Sequence, residues 1–217
     1  MKVPSAARYN AVIWLSVLGA TPVLLLPGLR MVGVQFIRQA WILEHPAYWM
    51  MGWWIWLMAI FGWMWLLVAL AWTYLPAHRV ASLLQSGLMI IGAVLLIAGV
   101  IVWMGVLPVV MVERDATVWI RVLDALALNL LGGGALMGGI VTMWIGLDLY
   151  RQRLLNRWWV LLCILAGLFA LPSPFLFPLG FPFHLIPAIL CWVLWSGYLA
   201  LLPRLPSPFA EYPHRYT

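Results

Sequence analysis

Pro46-Ala47-Tyr48-Trp49-Met50-Met51-Gly52-Trp53-Trp54-Ile55-Trp56-Leu57-Met58-Ala59-Ile60-Phe61-Gly62-Trp63-Met64-Trp65-Leu66-Leu67-Val68-Ala69-Leu70-Ala71-Trp72-Thr73-Tyr74-Leu75 holds no charged side chain over its whole length. A helix rises about 1.5 Å per residue, and a hydrocarbon layer of roughly 30 Å takes about 20 apolar residues to cross, so this stretch reads as a transmembrane helix. The span from Ala47 to Leu75 exceeds that ruler and must tilt or protrude. The rest of the 217-residue chain agrees: 66% is hydrophobic and only 8% charged, against roughly 25% charged in soluble domains. Too little polar surface remains for a water-soluble monomer. Composition therefore excludes a disordered tail, a secreted disulfide scaffold, an ordinary cytosolic enzyme and a nucleic-acid-binding domain. The net charge of +6 is expected beside membrane spans instead.

The same ruler predicts an all-α, polytopic, single-domain bundle of six spans: 10–29, 47–75, 82–112, 125–147, 158–176 and 184–202, with a short tail at 203–217. The first span is weakly basic at its start and is read as retained, not as a cleaved leader. The fifth is apolar for only about 14 residues before Pro172, roughly 21 Å. It is read as kinked near Pro172 and followed by an aromatic surface hairpin, with a re-entrant loop as the alternative, because lipid tolerates no bare backbone polar groups. Residues 30–43 carry Gln35, Arg38 and Gln39 at helical spacing. They suit a helix lying in the outer interface or a protruding continuation of the first span.

Six spans place Lys2, Arg8, Arg79, Arg151, Arg153, Arg157, Arg204 and Arg215 on one side and Arg30, Arg38, Arg114 and Arg121 on the other, 8 of the 12 basic residues against 4. The positive-inside rule then puts both ends of the chain in the cytoplasm, of a bacterial inner or photosynthetic membrane.

Few residues invite chemistry. His45, His78 and His184 fall at span ends and His214 in the tail. Haem ligation needs imidazoles at matched depth, so only a weak metal or pigment ligand role is entertained, for His45 and His184. Cys163 and Cys191 differ in depth by roughly 9 Å, beyond a disulfide's reach. Arg121 and Asp124 are three apart and are expected to pair on one helix face, with Asn129 facing the bundle. Gly132, Gly133, Gly134, Gly138 and Gly139 form a side-chain-free face that suits close helix packing or approach of a flat cofactor. Seven of the sixteen tryptophans crowd the second span. Those at its ends suit the membrane interface, while Trp63 and Trp65 near its middle read as packing residues, or as flanks of a pigment. With no GxSxG, HExxH, CxxC or acidic dyad, enzymatic activity is not expected and no metal is assigned.

The stretch Gly146-Leu147-Asp148-Leu149-Tyr150-Arg151-Gln152-Arg153-Leu154-Leu155-Asn156-Arg157-Trp158-Trp159, with Leu165-Ala166-Gly167-Leu168 after it, resembles the corresponding turn in a family of six-helix bacterial integral membrane proteins of unknown function. It departs from that pattern where Asn156-Arg157 replaces a proline before the fifth helix. The resemblance spans helices two to six and implies architecture without an activity. Three functions follow as expectations: an accessory subunit packing against other integral membrane subunits and lipid; a small-solute transporter or channel using Arg121, Asp124 and Asn129; and a subunit holding a chlorin, carotenoid or quinone.

Overall fold

The computed structural model describes residues 3–30, 35–75, 80–113, 116–153, 155–180 and 182–201; the notional tail 203–217 and His78 and His214 lie outside them. Every regular element among the described residues is helical. In chain order they are α1 (Val3–Leu24), α2 (Leu26–Arg30), α3 (Gln35–Glu44) and α4 (Pro46–Tyr74), followed by α5 (Val80–Val110), α6 (Ala116–Arg151), α7 (Arg157–Leu176) and α8 (Pro182–Leu201). Helices α4 to α8 are long and apolar enough to cross a membrane; α1, with 22 residues, is long enough but carries Arg8, Tyr9 and Asn10 in its first half and is not among them.

Each long helix runs antiparallel to the next. Helix α1 lies along α4 from Asn10 beside Gly62 to Thr21 beside Trp56, whose indole donates to the Thr21 hydroxyl at 3.0 Å, and α2 continues to Gly28 beside Trp49. Helix α5 follows α6 from Gln85 beside Asp148 to Trp103 beside Asp124. Helix α6 follows α7 from Gly146 beside Cys163 to Gly132 beside Pro174. Trp159 of α7 stacks on Tyr198 of α8 at 3.7 Å between centroids, and Ser196 of α8 meets Asn10 of α1. The six helices thus close a ring in the order α1, α4, α5, α6, α7, α8 and back to α1. Across the ring Trp63 of α4 reaches Thr142 of α6, N–H to hydroxyl at 3.3 Å, with Gly138 against its ring. The interior is packed with side chains such as Trp49, Leu66, Leu67, Val141, Cys163 and Trp195, all buried.

Local chemistry explains the interruptions. The first long helix stops at Leu24, and the Pro27-Gly28 pair sits inside the short α2, where Gly28 is needed because a Cβ there would lie 2.6 Å from the Trp49 ring. Pro46 opens α4, the position where its missing N–H costs nothing. The α-helical part of α7 ends at Ala170 and resumes for one turn at Ser173–Leu176 after Pro172. The chain then reverses through Gly180, whose φ of 78° glycine tolerates readily. Phe175, Leu179 and Phe183 of this hairpin are exposed. Cys163 and Cys191 are free thiols.

Helix α3 turns Arg38, 1% exposed, inward, and its Gln39 amide donates to the Met111 carbonyl. One expectation fails here: Asn129 does not face the bundle. It is exposed, and its amide donates to Ala125 O one turn back at 2.7 Å, which satisfies part of its polarity within its own helix.

Candidate functional site

At the end of the bundle where α3 lies, four helices meet around one carboxylate. The Arg38 guanidinium, brought in by α3, bonds Asp124 Oδ2 of α6. Trp103 of α5 donates its indole N–H to Asp124 Oδ1 at 2.8 Å, and the guanidinium sits 6.0 Å from the Trp103 ring centroid, at the outer limit of a cation–π contact. Trp49 of α4 donates its own N–H to the Trp103 carbonyl at 2.8 Å. Trp53 then packs against both Trp49 and Trp103, at 5.5 and 5.2 Å between centroids.

The Trp103 carbonyl is available because α5 changes register. Residues Val102–Val106 form a π turn, in which Leu107 N–H bonds Val102 O five residues back. The next bond in that register would run from residue 108 to Trp103 O, but residue 108 is a proline and has no N–H. The Trp49 indole supplies the missing donor. A buried carbonyl left without one would cost about 1–3 kcal/mol. Pro108 is thus the sequence signal of this site, a proline inside an overlong apolar run whose meaning depends on a donor 59 positions earlier in the chain, Trp49.

The pairing of Asp124 with Arg121 is corrected: Asp124 is bonded to Arg38, which lies 86 residues away in the chain, and Arg121 is exposed. An (i, i+3) spacing makes a contact available, but the half-buried Asp124 carboxylate, 13% exposed, gains more from a buried guanidinium than from one that can reach water. Arg38 Nε and Nη2 are buried and bond no partner among the described residues.

The remaining candidate residues are dispersed. Gly134 lets α5 and α6 touch backbone to backbone: a Cβ there would lie 2.8 Å from Leu96 N and 2.9 Å from Gly92 O. Gly139 does the same for α6 and α7, with Gly167 O at 2.9 Å, and Gly132 receives Pro174 and the Ser173 carbonyl. Gly138 faces Trp63, and Gly133 meets only the end of the Leu95 side chain. The glycine face is filled by neighbouring helices of this chain.

His45 stacks between Trp41 and Tyr48, with Nδ1 3.2 Å from the Trp41 carbonyl. His184 Nε2 is 2.8 Å from the Ser173 hydroxyl, which itself donates to Ala170 O at 2.6 Å. His45 and His184 belong to no group of three or more His, Cys, Asp or Glu able to hold a metal among the described residues.

At the opposite end, Gln85, 2% exposed, donates to Asp148 Oδ2 at 2.7 Å, and the Ser196 hydroxyl lies 3.1 Å from Asn10 Oδ1 and 2.7 Å from Trp192 O of its own helix. Sequence reading missed both pairs. No family model, no curated protein and no solved structure matches the chain, so the resemblance at residues 146–168 rests on those residues alone.

Proposed function

We propose that this protein is a six-span, non-catalytic membrane protein that acts as an accessory subunit by holding a helix of another integral membrane protein against the outward face of α4. The observation that carries this reading is a row of large side chains on that face. Met51, Trp54, Met58, Phe61, Trp65, Val68 and Trp72 are all exposed. Their spacing alternates three and four residues, the repeat by which one helix presents knobs to another. Lipid-facing positions need only be apolar, whereas this row includes Trp54, Trp65 and Trp72, of which Trp65 also packs against Tyr9 of α1 at 5.6 Å between centroids. Exposed tryptophan gains most from a protein surface that can accept its N–H and pack its ring.

The polar interior supports a structural role. Arg38–Asp124, Trp49–Trp103, Trp63–Thr142, Gln85–Asp148 and Asn10–Ser196 each tie one helix to another. They are spread over different seams and do not line up along one path, as a solute route would require. The α5–α6 and α6–α7 seams are closed by backbone contact at Gly134 and Gly139.

Helix α1 is assigned as the sixth span. Its 22 residues reach about 33 Å, and it runs antiparallel to both α4 and α8 along their length. The basic residues favour the end carrying Arg8, Arg151, Arg153 and Arg157 as cytoplasmic, in a bacterial inner or photosynthetic membrane.

A photo-crosslinking residue at Phe61 or Trp65 tests the docking face in cells. One adduct of defined mass is expected from both positions and none from Ile91, which is exposed on α5. Purification in mild detergent should yield the same species, reduced to the free chain in W54L/F61L with unchanged thermal stability. Adducts of equal yield from all three sites, no adduct, or an adduct of twice the chain's mass would each contradict an accessory role on a different partner.

A further inference from the structure

We infer that the turn between α6 and α7 binds the phosphate of an anionic phospholipid headgroup. A pocket of about 610 Å³ opens there, lined by Tyr150, Arg151, Arg153, Leu155, Asn156 and Arg157. Three guanidinium groups and no carboxylate line it. Asp148 accepts from Gln85 at 2.7 Å and pairs with Arg151 at 3.4 Å, which offsets part of one of the three charges, and the pocket keeps a net positive charge through Arg153 and Arg157.

The backbone shapes the pocket at two points. Asn156 is the N-cap of α7, extended at φ −70° and ψ 151°, and makes no side-chain cap bond. Its carbonyl accepts from the N–H groups of Trp159 and Val160, and the first turn of α7 brings the positive end of the helix dipole to the pocket. Arg153 closes α6 in a left-handed backbone conformation, φ 57°, with its N–H on Tyr150 O at 2.8 Å, a common way for a helix to end.

The level of the pocket selects a lipid as the source of the phosphate. Tyr150 and Trp158 are exposed beside it, and the Arg157 guanidinium lies 5.4 Å from the Trp158 ring centroid. Aromatic rings interleaved with arginine mark the headgroup level of a span, and basic pockets between membrane helices recognise phosphodiester headgroups there. Guanidinium pairs bind phosphate oxygens two at a time, so the charge and the geometry of arginine both matter.

The test uses the full chain purified in detergent, stripped of lipid and reloaded with phosphatidylglycerol, cardiolipin or phosphatidylcholine, with bound lipid counted by native mass spectrometry. The anionic lipids are expected to be retained in preference to phosphatidylcholine. R151Q/R157Q should weaken that retention by roughly 30-fold, two basic contacts' worth. R151K/R157K, which keeps the charge and the fold-neutral surface position, should recover part of it, and R121Q at the far end of α6 should change nothing. Inorganic phosphate at millimolar concentration is expected not to displace the lipid. Equal retention of phosphatidylcholine, or retention unaltered in R151Q/R157Q, would overturn the inference. Displacement by millimolar phosphate would overturn the lipid as source and make the site one for a soluble phosphate.

Discussion

Asp124 is held through both oxygens, by Arg38 and by the Trp103 indole, while Arg38 is 1% exposed. Removing one member of a buried pair strands the other charge, so Asp124→Ala is expected to cost about 3–5 kcal/mol in detergent unfolding. Arg121→Gln should stay within about 0.5 kcal/mol, as for other exposed positions. The reverse ranking would return Asp124 to its helical neighbour. Replacing both partners, R38M/D124L, should recover most of the loss, because an apolar pair of similar volume needs no compensating charge. That an acid at the start of the fourth span needs an arginine was legible in the sequence. Which arginine was not, because the partner stands 86 positions away on a segment whose amphipathic spacing suited an interfacial helix or a continuation of the first span. Asn129 misled for a related reason: a polar residue near the middle of an apolar run suggests an inward face, yet its amide is served by Ala125 O of its own helix.

Among the elements, α5 shows how a proline is accommodated inside a span. The π turn at Val102–Val106 leaves the Trp103 carbonyl to the Trp49 indole. Trp49→Phe is therefore expected to destabilise by about 1–3 kcal/mol, the cost of an unmet buried acceptor. In a Pro108→Ala background the restored N–H can serve that acceptor, and the cost of Trp49→Phe should shrink; full additivity in the double-mutant cycle would refute the link. Along α6, neighbouring glycines separate by geometry. Gly134→Ala places a methyl within 3 Å of two backbone atoms of α5, whereas Gly133→Ala meets only the end of Leu95 at 3.5 Å. The first should cost about 1–3 kcal/mol and the second should be tolerated, as read by melting in detergent. The run of glycines was visible in the sequence as a packing face, but which glycine meets backbone depends on the facing register of α5 and α7, which no single-sequence pattern contains.

At the scale of the whole molecule, the apolar runs and their proline and charge punctuation made the helices readable, because a bilayer imposes a length on each of them. Helix α1 is the exception that decides the topology. Arg8, Tyr9 and Asn10 lower its apolar character at the arginine-rich end, yet Asn10 is fully buried against α8, where Ser196 meets it, and Gly62 of α4 packs beside it. If α1 crosses the membrane as well, the crossings number six, the first helix begins and the last ends on one side, and the α3 segment lies on the other. The most direct test places single cysteines at Glu44 and at Thr217 in a chain lacking Cys163 and Cys191, and labels intact cells with a membrane-impermeant maleimide. Six crossings with the arginine-rich end inside predict labelling at position 44 in intact cells, and at 217 only after the membrane is opened. Labelling of 217 from outside intact cells would contradict that arrangement.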